Sequence, residues 1–350
     1  MIKIIPSNEI LSRIVEIERC REKCVGVRLP VTLSAKLRKN SRKKSSYASV
    51  KIEGNPLSEA EAGEVIDSSQ RHFLKPEQEI RNYYAALEFL EKELDAKTPF
   101  SRDLILAVQK LVVWGESAEK TGIRGPMPPG VLFAVYDEKT GTPEYIPPQA
   151  SDIEPLLAEL IDYVATSDDH PILKAAVVHY QMVTIHPFED GNGRTARLMS
   201  GYVLDYYGYG FNNIGSLEEY FAYDVEEYYR SLQMGLPPLF YDGRENPPHS
   251  EIWINYFLRM MELYAKKVVE ISQANASQPI AASLTHLGPK ERHFLDYLKK
   301  KKIAEFTPVE MAKVMKVTNR TIINWCAALA KNGLIEPNLT GKRIRSYSVV

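Results

Sequence analysis

The chain has 350 residues, 44% of them hydrophobic, enough for a substantial core and, on length, two or three domains. Its 44 lysines and arginines nearly cancel 45 acids, so no global field points to nucleic acid or to a membrane surface. Three cysteines (Cys20, Cys24, Cys326) form no even disulfide framework and too small a ligand set for zinc, and no run approaches the roughly 20 apolar residues of a membrane helix, so a soluble, cytoplasmic protein without membrane contact is expected.

The first segment, residues 1–98, holds the basic run KLRKNSRKK, which reads as a solvated face or a loop. EGNP (Glu53 to Pro56) ends a short helical stretch, because Gly54 and Asn55 tolerate left-handed backbone and Pro56 cannot continue a helix. SEAEAGEVIDSS and EIRNYYAALEFLEKEL follow as helices, and SRDLILAVQKLVVW is another, with Ser101 as N-cap and Asp103 in its first turn. From Thr121 to Pro148 the texture changes to loop (GIRGPMPPG), strand (VLFAVY), turn (DEKTG) and a returning TPEYIPP, which reads as one β-hairpin lying on the helices. DIEPLLAELIDYVAT resumes helix. HPILKAAVVHYQMVTI is apolar on most faces, hence central and buried, and RTARLMSGYVLDYYGYG is helical until Gly208 and Gly210. SLEEYFAYDVEEYYRSLQMG and HSEIWINYFLRMMELYAKKVVEISQ read as two more helices. QANASQP reads as a linker. Beyond it, three helices and a hairpin around Thr340 and Gly341 match a winged helix-turn-helix.

Between the two buried helices lies HPFEDGNGRTAR, His186 to Arg197, a poor core and a poor linker. Taken singly its parts are ordinary: a capping histidine, a GNG turn, arginines that pair with acids. Together they read as anion chemistry. Gly191 and Gly193 let successive N–H groups converge, and the following helix adds the positive end of its dipole. Arg194 and Arg197, three apart, share a helix face and offer the fork that matches phosphate. Asp190 suits a hard cation such as Mg²⁺, and His186 at the rim suits a general base. No GxxxxGK(S/T) occurs and no strand precedes the glycines, so neither a P-loop nor a Rossmann turn is present.

HPFEDGNGRTAR matches the pattern HPFx(D/E)GNGRxxR, and on these residues the chain resembles the Fic (Fic/Doc) family, which transfers a nucleotide, usually AMP, to protein hydroxyls. The resemblance covers about residues 101–235 and extends to HYQMVTI, to GIRG and to EYIPP. It implies a mainly α fold, a Fic-type helical bundle with a β-hairpin flap, followed here by the small winged helix-turn-helix domain. The expected domains are an N-terminal helical region (1–98, with an inhibitory helix around 45–54), a catalytic core (99–245), a connecting helix (246–275) and the winged domain (285–350). The resemblance implies His186 as general base, Phe188 as loop anchor and Asp190 as the Mg²⁺ residue. Gly191, Asn192, Gly193, Arg194, Thr195, Ala196 and Arg197 would cradle ATP, with Arg197 at the γ-phosphate. Tyr228 and Tyr229 would wall the base, although the asparagine that often follows such a pair is absent at the expected distance. The flap is implied to hold the target peptide as an added strand.

SVKIEGN fits a second pattern of the family, (S/T)xxxE(G/N), through Ser49, Glu53 and Gly54. It implies that Glu53 pairs with Arg197 and so inhibits the chain from its own N-terminal side. The reading is a protein adenylyltransferase acting on Ser, Thr or Tyr of an unknown target, with self-modification and a homodimer plausible from the family. Two alternatives stand beside it. One is removal of AMP by the same site. The other is a DNA-bound regulator with a Fic sensor core, using residues 307–347, where Asn319, Arg320, Asn324, Lys342, Arg343 and Arg345 offer polar contacts and Trp325, Leu329 and Leu334 look like core.

Overall fold

The computed structural model describes residues 2–25, 27, 29, 31–70, 72–116, 120–131, 133–136, 141–234, 249–276, 287–301, 303–331, 334–340 and 343–349. The turn of the expected flap at 137–140, the expected wing tip at Gly341 and Lys342, and Ser277 to Pro279 of the expected linker lie outside the described residues, whereas Gln273 to Ala276, read as linker, continue a helix. Two compact units emerge, residues 1–22 with 40–267 and residues 23–39 with 268–350.

Both units are mainly helical. α1 (Asn8–Val25) and α2 (Val31–Ile52) open the chain. The basic run is therefore helix rather than loop. Three of its cations meet acids, Arg42 with Glu91, Lys43 with Asp67 and Lys44 with Glu219. α2 buries Ser41, Ser45 and Ser49 at four-residue spacing, a hydroxyl stripe beside the buried Ala48, Val50 and Ile52. α3 (Glu59–Asp67) starts with a reciprocal cap between Ser58 and Glu61, and α4 (Lys75–Asp95) follows. α5 (Arg102–Val112) is capped by the Ser101 side chain, which accepts from the Leu104 N–H.

The flap is shorter than its sequence suggests. β1 (Val135–Tyr136) pairs antiparallel with β2 (Pro143–Tyr145), with a register shift inside β1. Proline at the start of β2 has no N–H to donate, which limits the ladder. α6 (Ala150–Thr166) leads to α7 (Pro171–Ile185), in which every residue but Pro171 and Val183 is buried. α8 (Asn192–Tyr206) packs back along α7, and α4 and α5 flank it. What reads as one helix from Ser216 to Gly235 is two, α9 (Glu218–Tyr223) and α10 (Val225–Gln233), because Asp224 turns out of the helix and caps α10 with its own carboxylate. α11 (Ser250–Ala276) is pinned to α7 by the Trp253 indole, which donates to the Ala176 carbonyl at 2.8 Å.

The second unit contains α12 (Pro289–Lys300), α13 (Pro308–Met315), α14 (Asn319–Lys331) and a three-stranded antiparallel sheet ordered β3 (Glu305–Phe306), β5 (Arg343–Val349), β4 (Ile335–Thr340). Trp325, Leu329 and Leu334 join Phe294, Phe306 and Tyr347 in its core. Asn319, Arg320, Asn324 and Arg345 are exposed. Burial pushes the Cys326 thiol up to about 12, so it is inert packing.

Candidate active site

The site is built where α7 ends and α8 begins. His186 closes α7 in the left-handed region, φ 48°, which ends the helix and swings its ring out of the α7 stack. Its Nδ1 lies 3.2 Å from the Val183 carbonyl oxygen. A carbonyl only accepts, so Nδ1 carries the proton and Nε2 is the basic nitrogen. Burial pushes the imidazole down to about 4, with the Val183 carbonyl opposing and Arg124 assisting, so the ring is neutral at neutral pH.

Phe188 is fully buried, and its main chain is held from both sides: its N–H donates to Asn192 Oδ1 at 3.0 Å and its carbonyl accepts from Asn192 Nδ2 at 2.8 Å. Asn192 therefore turns its side chain to closing the loop; what it offers an anion is its backbone. Gly191, at φ 81°, is the N-cap of α8, and a Cβ there would lie 3.0 Å from Val112 and 3.1 Å from Val113. The first N–H groups of any helix have no carbonyl behind them, so α8 presents donors and a partial positive charge at this turn.

The two arginines reach different partners rather than one. Arg194 pairs with Asp190 at 2.8 Å, while its buried Nε has no hydrogen-bond partner among the described residues. Arg197 points the other way and is 1% exposed at its side chain. Its Nη2 donates to Glu53 Oε1 at 2.5 Å and to the Ser49 carbonyl at 3.0 Å, and its Nε donates to Ser49 Oγ at 2.7 Å. Burial opposes the guanidinium's charge, and Glu53 more than restores it, raising Arg197 above its usual range. Glu53 Oε1 also stands where a Cβ of Gly193 would be, 2.5 Å away, so the carboxylate lies directly over the start of α8. Thr195 and Ala196 are buried in the α8 wall, and the Thr195 hydroxyl has no partner among the described residues.

An ATP-sized anion suits the Arg194 Nε, which has no hydrogen-bond partner among the described residues, and the first N–H groups of α8. For Mg²⁺ the donor set is one carboxylate, Asp190. No group of three His, Cys, Asp or Glu side chains able to hold a metal exists among the described residues. One carboxylate plus substrate phosphates is an ordinary Mg²⁺ environment, so the residues fit that ion in company with a nucleotide. Burial raises Asp190, but Arg194, Lys120 and the Gly191 N–H outweigh it and hold the carboxyl below its usual range.

Several residues that hold this site carry no signal in the sequence. Gln109, fully buried, donates to the carbonyls of Lys120 and Asp190 and accepts from the Gly122 N–H. Lys120 bridges Asp190 and Glu116, both at 3.1 Å. Arg124, within the GIRG that resembles the flap region, donates through Nε to the His186 carbonyl at 2.8 Å, and its N–H donates to the Pro187 carbonyl. With Tyr145, whose hydroxyl donates to the Thr184 carbonyl at 2.5 Å, it ties the flap to the end of α7. Tyr228 is 1% exposed and turns its hydroxyl to Arg197, so it offers no face to a base, while Tyr229 is exposed and donates to the Ile52 carbonyl at the end of α2. On the side of α2, Glu218 accepts from Ser45 at 2.7 Å, Tyr83 at 3.0 Å and Ser216 at 3.1 Å, which fastens the hydroxyl stripe of α2 to the core.

A helical bundle that places a rim histidine, a glycine turn, a helix start and two buried guanidinium groups between His186 and Arg197 carries the donors that nucleotide phosphates require. Residues 99–204 match the Fic/DOC family. The chain carries a Fic domain. It is 31% identical over 242 residues to protein adenylyltransferase fic-1 of Caenorhabditis briggsae, covering 65% of this chain and 44% of that protein. It is 32% identical over 164 residues to fic-1 of Caenorhabditis elegans, covering 45% and 30%. The chain thus spans less than half the length of these curated relatives. A Fic family protein from Desulfovibrio desulfuricans G20 shares the fold along the whole chain, with a TM-score of 0.63 at 19% identity, covering 100% of this chain and 98% of that one. Fic-1 from Caenorhabditis elegans does so with a TM-score of 0.58 at 22% identity, covering 76% and 72%. No helix among the described residues is long and apolar enough to cross a membrane.

Proposed function

We propose that the protein is an adenylyltransferase that moves AMP from MgATP to a hydroxyl side chain of a target protein, and that Glu53 holds it inhibited. The observation that carries this reading is the Glu53–Arg197 pair at 2.5 Å above Gly193, beside a rim histidine whose Nε2 is unprotonated. In the reaction the target oxygen attacks the α-phosphorus, the bond to the β-phosphate oxygen breaks, and pyrophosphate leaves. His186 Nε2 takes the hydroxyl proton. The helix start and Arg194 stabilise charge on the β-phosphate, where donors fixed in advance cost no reorganisation. Asp190 would hold Mg²⁺, which neutralises charge between neighbouring phosphates. Lys120 and Arg194, now on Asp190, keep that carboxylate ionised and in place.

Glu53 opposes the reaction through charge and space together. Its carboxylate occupies Arg197, the expected partner of the γ-phosphate, and lies where like charge repels that phosphate. Nucleotide then enters with its α-phosphorus out of line for attack. The flap, pinned by Arg124 and Tyr145, is the edge on which a target segment would lie. The same reading takes residues 285–350 as a winged helix-turn-helix, supported by the order of helix, strand, two helices and hairpin. The test is to incubate the Glu53→Gly protein with MgATP and measure intact mass and released pyrophosphate. The expected result is one AMP added per pyrophosphate, lost with His186→Ala. Release of phosphate alone, with no added mass, overturns the reading.

A further inference from the structure

Arginine only donates hydrogen bonds, and that fixes the direction of every bond joined to Arg197. Its Nη1 lies 3.3 Å from the Tyr228 hydroxyl, so this oxygen accepts. The phenol's own proton is then directed to His179 Nε2, 2.8 Å away. Because Nε2 accepts, the neutral ring carries its proton on Nδ1, which faces Ser200 Oγ at 3.4 Å. Ser200 in turn donates to the Arg197 carbonyl at 3.0 Å. The chain of bonds leaves the Arg197 side chain and returns to its main chain, with one consistent direction throughout.

The surroundings enforce that direction. His179 is fully buried and Tyr228 and Ser200 are each 1% exposed. Phe221, Trp253 and Phe257 surround the imidazole with ring centroids 4.8 to 6.2 Å away. Burial and the charge of Arg197 both push His179 well below the usual imidazole range. A protonated ring would have two donors and nothing with which to accept from Tyr228.

The bond from Tyr228 is also separate from the bonds of the clamp. Ser49 and Glu53 take Nε and Nη2, and Tyr228 takes Nη1. When α2 releases Arg197, two donor positions become available while the third remains held. We propose that Tyr228 and His179 are positioning residues that keep the Arg197 guanidinium aimed at the γ-phosphate when the clamp opens, and that neither touches the nucleotide. This rests on the reading of Arg197 as the γ-phosphate's partner. An unheld arginine would have to be ordered by ATP itself, and affinity for ATP would fall by that cost.

The experiment compares MgATP and MgADP affinity by calorimetry in the Glu53→Gly protein, with Tyr228→Phe, His179→Phe, His179→Gln and Arg197→Ala added in turn. Loss of one such hydrogen bond is about a fivefold effect. Tyr228→Phe is expected to weaken MgATP by about fivefold and MgADP by less than about twofold. His179→Phe, which leaves the phenol proton without an acceptor, is expected to show the same selective loss. His179→Gln, whose amide oxygen can accept, is expected to recover part of it. Unchanged MgADP binding certifies the fold of each variant. If Arg197→Ala loses MgATP selectively and Tyr228→Phe does not, the positioning role is wrong while the reading of Arg197 stands. If Arg197→Ala weakens both nucleotides alike, that reading fails first. A second measurement needs no variant: nitrogen NMR of the wild-type protein is expected to find His179 protonated on Nδ1 and bare on Nε2. A proton on Nε2 overturns the assignment.

Discussion

The turns at residues 53–55 and 190–192 are nearly the same tripeptide, Glu53-Gly54-Asn55 and Asp190-Gly191-Asn192, placed at opposite ends of helices. Each glycine sits at positive φ, 83° and 81°. Each asparagine fastens its turn: Asn55 donates to the Pro76 carbonyl at 3.0 Å and to Glu79 at 2.8 Å, and Asn192 closes on Phe188. Each acid pairs with an arginine of α8, Glu53 with Arg197 and Asp190 with Arg194. The difference is polarity. Asp190 stands at a helix start, where the dipole favours an anion, and Glu53 stands just past a helix end, where it does not. Glu53 is therefore an acid past the end of its own helix that reaches across to the start of α8, where Arg197 pairs with it. Local violations of this kind mark function more reliably than the turn itself.

His186→Ala offers the largest way to break the comparison, because it removes the base that the second turn exposes. We expect transfer by the Glu53→Gly protein to fall by about 10²- to 10⁴-fold, read as label retained on protein. The pH profile follows from the same residue. Since the folded imidazole sits at about 4, transfer should hold from neutral pH down to about 5 and be lost only as pH falls through about 4. Stability has the corresponding sign. Between 6.5, the ordinary value, and about 4 the unfolded chain takes a proton that the folded chain refuses. Stability tied to this residue is present above that window and lost through it, so the Tm of wild type should fall more steeply there than that of His186→Ala.

Gly193→Ala sharpens the comparison at intermediate size. Its Cβ would collide with Glu53 Oε1 rather than with the loop, so the cost should be about 1–3 kcal/mol in wild type and largely vanish beside Glu53→Gly. A double-mutant cycle in thermal unfolding reads that coupling. Asn55→Ala is the smallest. It removes one fastening of the first turn, and should cost about 1 kcal/mol and raise basal transfer only slightly, whereas Asn192→Ala should abolish ATP binding.

How much of this was legible depended on whether the signal was local. HPFEDGNGRTAR, the Glu53–Arg197 pair and the buried α7 could be read, because each is a short motif or an unbroken period. The helical character of the basic run could not, since three of its cations meet acids distant in sequence and its buried Ser41, continued by Ser45 and Ser49, starts a hydroxyl stripe with no hydrophobic period. The break at Asp224 was hidden because one capping residue interrupts an otherwise helical pattern. The resemblance implies Tyr228 as a wall of the base, whereas it lies within the core, because the partners that draw it inward, His179 and Arg197, stand 49 and 31 residues away. Gln109, Arg124 and Glu218 act on loop carbonyls and hydroxyls distant in sequence, and no spacing rule reports that.

The account's central claim is that the first turn restrains the second, and the most direct measurement of it is label transfer from α-labelled ATP with Mg²⁺ by wild type and Glu53→Gly side by side. The account predicts that the Glu53→Gly protein retains at least about tenfold more label, as expected when a charge-assisted pair worth roughly 1.5–3 kcal/mol no longer competes for Arg197. Equal labelling of the two proteins, with Glu53→Gly folded and binding MgATP, would contradict it.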